Sequence, residues 1–85
     1  MANISNITAN MDDQKKCLDI IANAKSNLMV KILNVNGQFI KTVSKSVQTN
    51  AGRFTVALDD LSRGNYILNI FENNSFIRSF YYNNY

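Results

Sequence analysis

Residues 61–70 constrain the fold more than any other stretch, because they combine a turn with a long alternating pattern. Their sequence is LSRGNYILNI. Gly64 can take a positive φ without a Cβ clash, which predicts a turn directly before a strand. Tyr66, Leu68 and Ile70 then recur at every second position and share one face, a pattern typical of a strand buried on one side. We expect the turn to set the register of this strand.

A second turn predicts a β-hairpin. Asn36 and Gly37 stand between two β-forming runs, residues 28–34 and 38–44. An Asn-Gly pair can supply the two positive φ angles that a type I′ turn requires, so we expect that turn here. The first run has one apolar face, formed by Leu28, Val30 and Ile32.

Two further runs, residues 16–22 and 53–58, also predict strands. For the first of them, a helix beginning after Asp12 and Asp13 is the competing interpretation, because an acidic pair suits the N-terminus of a helix. The turn-like residues 23–27 and the β-forming run that follows favour the strand.

The last run, residues 76–82, is rich in aromatic side chains. Phe76, Phe80 and Tyr82 share one parity and Tyr81 has the other. Such a run can form a stacking platform for bases or sugars, but aromatic packing in a thin sandwich is the favoured interpretation. We expect Tyr81, Tyr82 and Tyr85 to be partly exposed.

These runs predict an all-β fold, a small antiparallel β-sandwich with immunoglobulin-like connections and about six to seven strands. We assign residues 15–85 to this domain and residues 1–14 to a flexible tail or linker, because Ile4 and Ile7 stand there without a sustained periodicity. A short edge strand containing these two isoleucines is the alternative. A missing first strand would leave an open sheet edge, through which two copies can form a homo-oligomer.

Composition excludes most kinds of chemistry. The chain has no histidine and a single cysteine, Cys17, so Cys/His metal sites, internal disulfides and nucleophile–histidine catalysis are excluded. The carboxylates offer no convincing acid–base pair, and the adjacent Asp59 and Asp60 suit a solvated turn. We therefore expect no enzyme, no catalytic, cofactor-binding or metal-binding residue, and no cofactor.

Charge and hydropathy limit the partners. The net charge is +3, from 9 Lys and Arg against 6 Asp and Glu, and the basic residues are scattered along the chain. This distribution favours solubility over nucleic-acid binding. We expect no direct membrane insertion, because no apolar run approaches the roughly 18 residues that span a bilayer. The N-terminus also lacks the pattern of a signal peptide.

Three elements stand at a characteristic spacing. They are a strand and turn ending at Gly37, the stretch containing Leu61 and Gly64, and a terminal strand with Arg78 and Phe80. This arrangement resembles the C-terminal sorting domain, type A-like, of the type IX secretion system of the Bacteroidetes. In that family an "nxxGqxv" strand and turn precede an "LxxGxYil" strand, and a last strand with a basic residue closes the protein. The similarity covers residues 16–82.

The resemblance implies a non-catalytic module at the C-terminal end of a secreted protein. Such a module is recognised by outer-membrane proteins of the secretion machinery, and it directs its cargo through the periplasm and across the outer membrane to the cell surface. The recognition residues that the resemblance implies are Gly37, Leu61, Gly64, Tyr66, Leu68, Ile70, Arg78 and Phe80. The alternative is a stand-alone immunoglobulin-like adhesion or protein-binding module that self-associates through an edge strand.

Overall fold

The computed structural model describes residues 6–85, and this part of the chain forms seven strands in two sheets. The strands are β1 (Ile7–Asp12), β2 (Cys17–Ala22), β3 (Ser26–Asn34), β4 (Phe39–Val47), β5 (Gly52–Ala57), β6 (Gly64–Glu72) and β7 (Ser75–Asn84). One sheet has the order β1-β2-β5 and the other has the order β4-β3-β6-β7. Residues 17–22 of the run 16–22 thus belong to a strand, as the favoured interpretation predicted, and Lys16 lies in the turn before it.

All strand pairs are antiparallel, so the predicted all-β antiparallel sandwich is confirmed. The connection after β4 carries the chain from the four-stranded sheet to the three-stranded one. In the constant-type immunoglobulin order, the fourth strand lies in the sheet of the first, second and fifth strands. Here β4 pairs with β3 instead. The immunoglobulin-like connectivity therefore stays a prediction.

The core lies between the two sheets and is built from the alternating faces that the sequence indicated. Tyr66, Leu68 and Ile70 on β6 are all buried, and so are Phe54 and Val56 on β5. The described apolar side chains with no exposed surface are Leu18, Ile20, Ala22, Val30, Ile32, Leu58, Leu68 and Ile70. Burial of the leucine, isoleucine and valine side chains among them contributes about 1.5–3 kcal/mol each, which makes this cluster the main source of stability.

The predicted hairpin between β3 and β4 forms, but its turn is not type I′. Gly37 has a φ of 81°, whereas Asn36 has no positive φ. The Gly37 amide donates to the Asn34 carbonyl at 2.9 Å, and the Asn34 amide donates to the Gln38 carbonyl at 3.0 Å. These bonds define a three-residue loop with the glycine in the left-handed position, the arrangement of a type I turn followed by a bulge.

A turn with two positive φ angles occurs instead between β6 and β7. Asn73 and Asn74 have φ angles of 51° and 69°, and the flanking Glu72 and Ser75 pair directly. This is the type I′ pattern, which asparagine tolerates because its short polar side chain permits the left-handed region.

The N-terminal boundary differs from the prediction. Within the predicted tail, residues 1–14, Ile7–Asp12 forms the edge strand β1 and pairs with β2 along its whole length. Ile7 is buried, and Ala9 and Met11 pack against the core. The inward side chains recur at every second position, but alanine is small and depleted in strands, so they mark the apolar face only weakly in the sequence. The alternative of an edge strand is correct for Ile7, and the prediction for residues 1–5, including Ile4, lies outside the described residues.

A bulge in β7 changes the predicted parity of the terminal run. Phe71 pairs with Phe76 and Ile70 pairs with Arg78, so Ile77 is an extra residue on β7. Phe76 therefore shares the outer face with Phe71, whereas Tyr82 shares the inner face with Tyr66. The expected exposure is correct for Tyr81, which is 76% exposed, and wrong for Tyr82, which is 2% exposed.

Candidate recognition site on the β6 and β7 strands

The candidate site begins at a tight bend before β6. The Leu61 amide donates to the Leu58 carbonyl at 3.2 Å, and the Leu61 side chain is buried in the core. Gly64 opens the strand with a φ of 148°. A Cβ at Gly64 would come no closer than 3.9 Å to the Tyr66 ring. The backbone conformation, and not lack of space, is therefore what requires glycine at this position.

Tyr66 closes the bend with its side chain. Its hydroxyl donates to the Ser62 carbonyl at 2.7 Å and lies 3.0 Å from the Ser62 hydroxyl. The rest of the ring is buried against Tyr82, with ring centroids 6.4 Å apart. A buried tyrosine needs a partner for its hydroxyl, and the bend supplies one. Tyr66 therefore ties the loop before β6 to the core.

The end of β7 reaches the same bend. The Asn84 side-chain amide donates to the Leu61 carbonyl at 2.7 Å and to the Ser62 carbonyl at 3.3 Å. Burial raises the pKa of the neighbouring Tyr82 phenol above its ordinary value, because the anion would be poorly solvated there. Asn84 has no local signal in the sequence, since its hydrogen bonds join residues 22 and 23 positions apart.

The remaining candidate side chains pair across β6 and β7. Leu68 lies opposite Phe80, and Ile70 lies opposite Arg78. The Arg78 guanidinium carbon lies 4.3 Å from the centre of the Phe80 ring, which is the distance of a cation–π contact. Leu68 and Ile70 are fully buried, Phe80 is half-buried and Arg78 is exposed.

Gly37 belongs to the same end of the sheet as Gly64. Asn34, at the end of β3, pairs with Tyr66, and the Val35 amide donates to the Asn65 carbonyl at 3.2 Å. The turn containing Gly37 therefore adjoins the start of β6. The structure thus gathers Gly37, Leu61, Gly64 and Tyr66 at one end, with the other four candidates running along β6 and β7 from there.

The chemistry available to these groups is that of packing and binding. Among residues 6–85 there is no group of three or more His, Cys, Asp or Glu side chains that could hold a metal ion. Cys17 is buried. Burial is the main cause that raises the pKa of its thiol, and the nearby Asp19 carboxylate is the second. The buried Glu72 accepts a hydrogen bond from the Ser26 hydroxyl at 3.0 Å.

The described chain also contains no helix of the length and hydropathy that a membrane span requires.

A comparison with known protein families identifies the family to which this sandwich belongs. The family model of the secretion system C-terminal sorting domain matches residues 3–80. The chain belongs to this family. No curated protein and no solved structure matches it significantly.

Membership of the sorting-domain family confirms the function that the spacing of Gly37, Leu61, Gly64 and Tyr66 suggested. The protein is a C-terminal sorting domain of the type IX secretion system, and it directs the secretion of a cargo to the cell surface. Sorting domains of this family are non-catalytic and are recognised by the secretion machinery.

Proposed function

We propose that outer-membrane proteins of the secretion machinery recognise this sorting domain as a folded sandwich, through the surface of the β6 and β7 strands. Six of the eight candidate residues lie on these two strands. The observation that carries the proposal is their pairing, with Leu68 opposite Phe80 and Ile70 opposite Arg78. A protein that contacts this strand pair meets the exposed Arg78 and Phe80, which the buried candidates on β6 hold in place.

Burial divides the candidates into two roles. Leu61, Tyr66, Leu68 and Ile70 are at most 8% exposed, so a partner cannot contact them while the domain is folded. Their role is to hold the hairpin in shape. Arg78 and the exposed part of Phe80 are available for direct contact, and Gly37 and Gly64 shape the turns beside them.

The test is a fusion. The full 85-residue chain is attached to the C-terminus of a periplasmic reporter in a cell with an active type IX system, and surface reporter is measured by labelling intact cells. We expect the reporter to pass from the periplasm to the cell surface. A reporter that stays in the periplasm would contradict the proposal.

Two variants separate folding from contact. Removal of residues 76–85 should abolish surface delivery, but it also removes the strand that pairs with β6. Arg78→Ser changes an exposed side chain and should leave the melting temperature nearly unchanged, because surface substitutions usually alter stability by less than about 0.5 kcal/mol. We expect reduced surface delivery from this folded variant.

A second candidate function is self-association through an open sheet edge. The outer edge strand β7 is ten residues long and carries one charge, on Arg78. The opposite edge strand β4 carries two lysines that bind back to the domain, Lys41 to Asp60 at 2.8 Å and Lys45 to the Arg53 carbonyl at 2.9 Å. Charged side chains protect a sheet edge, so β7 is the edge more open to a second strand.

Sedimentation of the purified chain tests this second candidate. A β7-to-β7 pair predicts a dimer that the variant Asn83→Lys weakens, because it adds a charge to the edge strand. A chain that remains monomeric at high micromolar concentration would remove this candidate and leave the sorting role intact.

A further inference from the structure

The outer face of the four-stranded sheet carries an apolar row that crosses all four strands. Phe39 on β4 pairs with Leu33 on β3, Leu33 pairs with Ile67 on β6, and Ile67 pairs with Tyr81 on β7. We call these four residues the outer row. Phe39 and Tyr81 are 61% and 76% exposed, and the two side chains between them are partly exposed.

The next two rows on this face differ from the outer row. The neighbouring row is polar or charged: Thr42, Lys31, Asn69 and Ser79. Beyond it, Phe76 packs edge-on against Phe71, with ring centroids 5.7 Å apart, and the Lys31 ammonium lies 5.1 Å from the centre of the Phe71 ring. The aromatic side chains of that third row thus partly cover each other. The large exposed rings of the outer row lie at its two ends, on opposite edge strands.

Exposed apolar surface of this kind marks a binding site when it is contiguous. We propose that the outer row is the part of the sorting domain that a protein of the secretion machinery grips, by means of an apolar pocket flanked by carboxylates. This inference rests on the proposed function and names the surface that the partner uses.

Charge indicates why the partner should carry carboxylates. The four strands of this sheet contain a single acidic residue, Glu72, and it is buried. Of their four basic residues only Lys31 lies on the outer face, in the row beside the outer row, whereas Lys41, Lys45 and Arg78 pair with inner-face residues. A partner with carboxylates at the rim of its pocket complements this face and excludes acidic competitors.

The same charges argue against a second copy as the occupant. Two identical faces would bring Lys31 of each copy towards the other, without an exposed carboxylate on either sheet face to pair with them. The size of the row supports the same conclusion. Four strands about 4.8 Å apart make a row about 15 Å long, a patch on the order of a few hundred Å². A stable dimer buries about 800 Å² per partner, so this row suits a transient contact.

The experiment uses the reporter fusion with the full chain. The test variant is Phe39→Ser/Tyr81→Ser, which removes both exposed rings of the outer row. The matched control is Ile21→Ser/Phe76→Ser, which removes one exposed side chain from the other sheet and one from the third row, 38% and 56% exposed respectively. Thermal unfolding of the purified domains establishes that both variants remain folded.

We expect the test variant to lower surface reporter by about tenfold or more, because removal of large aromatic anchors costs this much binding in protein interfaces. The control should stay within about twofold of the unsubstituted chain, as expected of residues outside the contact. Lys31→Glu should lower surface reporter more than Lys31→Gln, since only the former opposes the partner's carboxylates.

Each contrary outcome has a distinct meaning. If the unsubstituted fusion is exported and the folded test variant is exported equally well, the outer row is not the contact and this inference is overturned while the proposed function stands. If the unsubstituted fusion is itself retained, the proposed function fails and the inference fails with it. If the purified chain is a dimer that Phe39→Ser/Tyr81→Ser dissociates, the row binds a second copy and the assignment to a machinery protein is overturned.

Discussion

Both faces of the four-stranded sheet are rich in apolar side chains, yet only the inner face is covered. On β6, Leu68 is fully buried while its neighbour Ile67 is partly exposed on the other side. The adjacent tyrosines of β7 differ more strongly, because Tyr82 is 2% exposed and Tyr81 is 76% exposed.

This difference separates two functions, folding and recognition, that the resemblance assigned to the same residues. The leucine and tyrosine of the LxxGxY stretch, Leu61 and Tyr66, lie on the covered side, where a folded partner cannot contact them. The uncovered apolar side chains of the outer row lie outside that stretch. The motif that identifies the family in this chain therefore describes how the hairpin folds. We place recognition on side chains that stay exposed, Arg78 and Phe80 on β7 and the outer row on the opposite face.

The largest difference between the faces is expected from truncation of neighbouring residues on β6. Leu68→Ala leaves a cavity in the core and should lower the free energy of unfolding by about 2–5 kcal/mol. Ile67→Ala removes a partly exposed side chain and should cost less than about 1 kcal/mol. Urea denaturation of both variants measures these changes. Equal losses would contradict the assignment of the two faces.

A smaller difference is expected from removal of single hydroxyl groups. Tyr66→Phe removes the donor to the Ser62 carbonyl and should lower the free energy of unfolding by about 0.5–1.5 kcal/mol. Tyr81→Phe removes a hydroxyl from the exposed face and should change it by less than about 0.5 kcal/mol. Thermal unfolding with the unsubstituted chain as reference measures both. A Tyr66→Phe variant of unchanged stability would show that the bend does not depend on this bond.

The smallest effect concerns alkaline pH. The pKa of Tyr82 in the folded chain is raised by burial above that of an unfolded tyrosine, which is about 10. The unfolded chain therefore loses this proton first, so the stabilising contribution is complete below about pH 10 and is lost as the pH rises above that value. Between about pH 9 and about pH 11, a range that brackets the ordinary tyrosine pKa, the Tyr82→Phe variant should lose less stability than the unsubstituted chain. An identical pH profile would mean that the Tyr82 phenol is hydrated.

The local parts of this structure could be predicted from the sequence. Alternation assigned Tyr66, Leu68 and Ile70 to the core, since a period of two fixes which face a residue occupies. A glycine before the strand and an Asn-Gly pair marked two turns correctly in position. The resemblance also identified the family that the comparison with the sorting-domain model confirms.

The remaining features depend on pairing between distant strands. The extra residue at Ile77 appears only when β7 is aligned with β6, and it moves Phe76 to the outer face. β1 forms because β2 offers it an edge, although Ala9, Asn10 and Asp12 are residue types depleted in strands. The bond from Asn84 to Leu61 likewise needs the folded chain. The outer row has no sequence signature, because its four members come from four strands.

Nitration of the unsubstituted chain tests the division between the two faces most directly. Tetranitromethane modifies accessible tyrosines, and mass spectrometry of the fragments distinguishes the four sites. Tyr81 and Tyr85 are 76% and 82% exposed, whereas Tyr66 and Tyr82 are 5% and 2% exposed. We expect Tyr81 and Tyr85 to react at least about ten times faster than Tyr66 and Tyr82, which should react only through opening of the sandwich. Reaction of Tyr82 as fast as Tyr81 would contradict a covered inner face and, with it, the separation of folding from recognition.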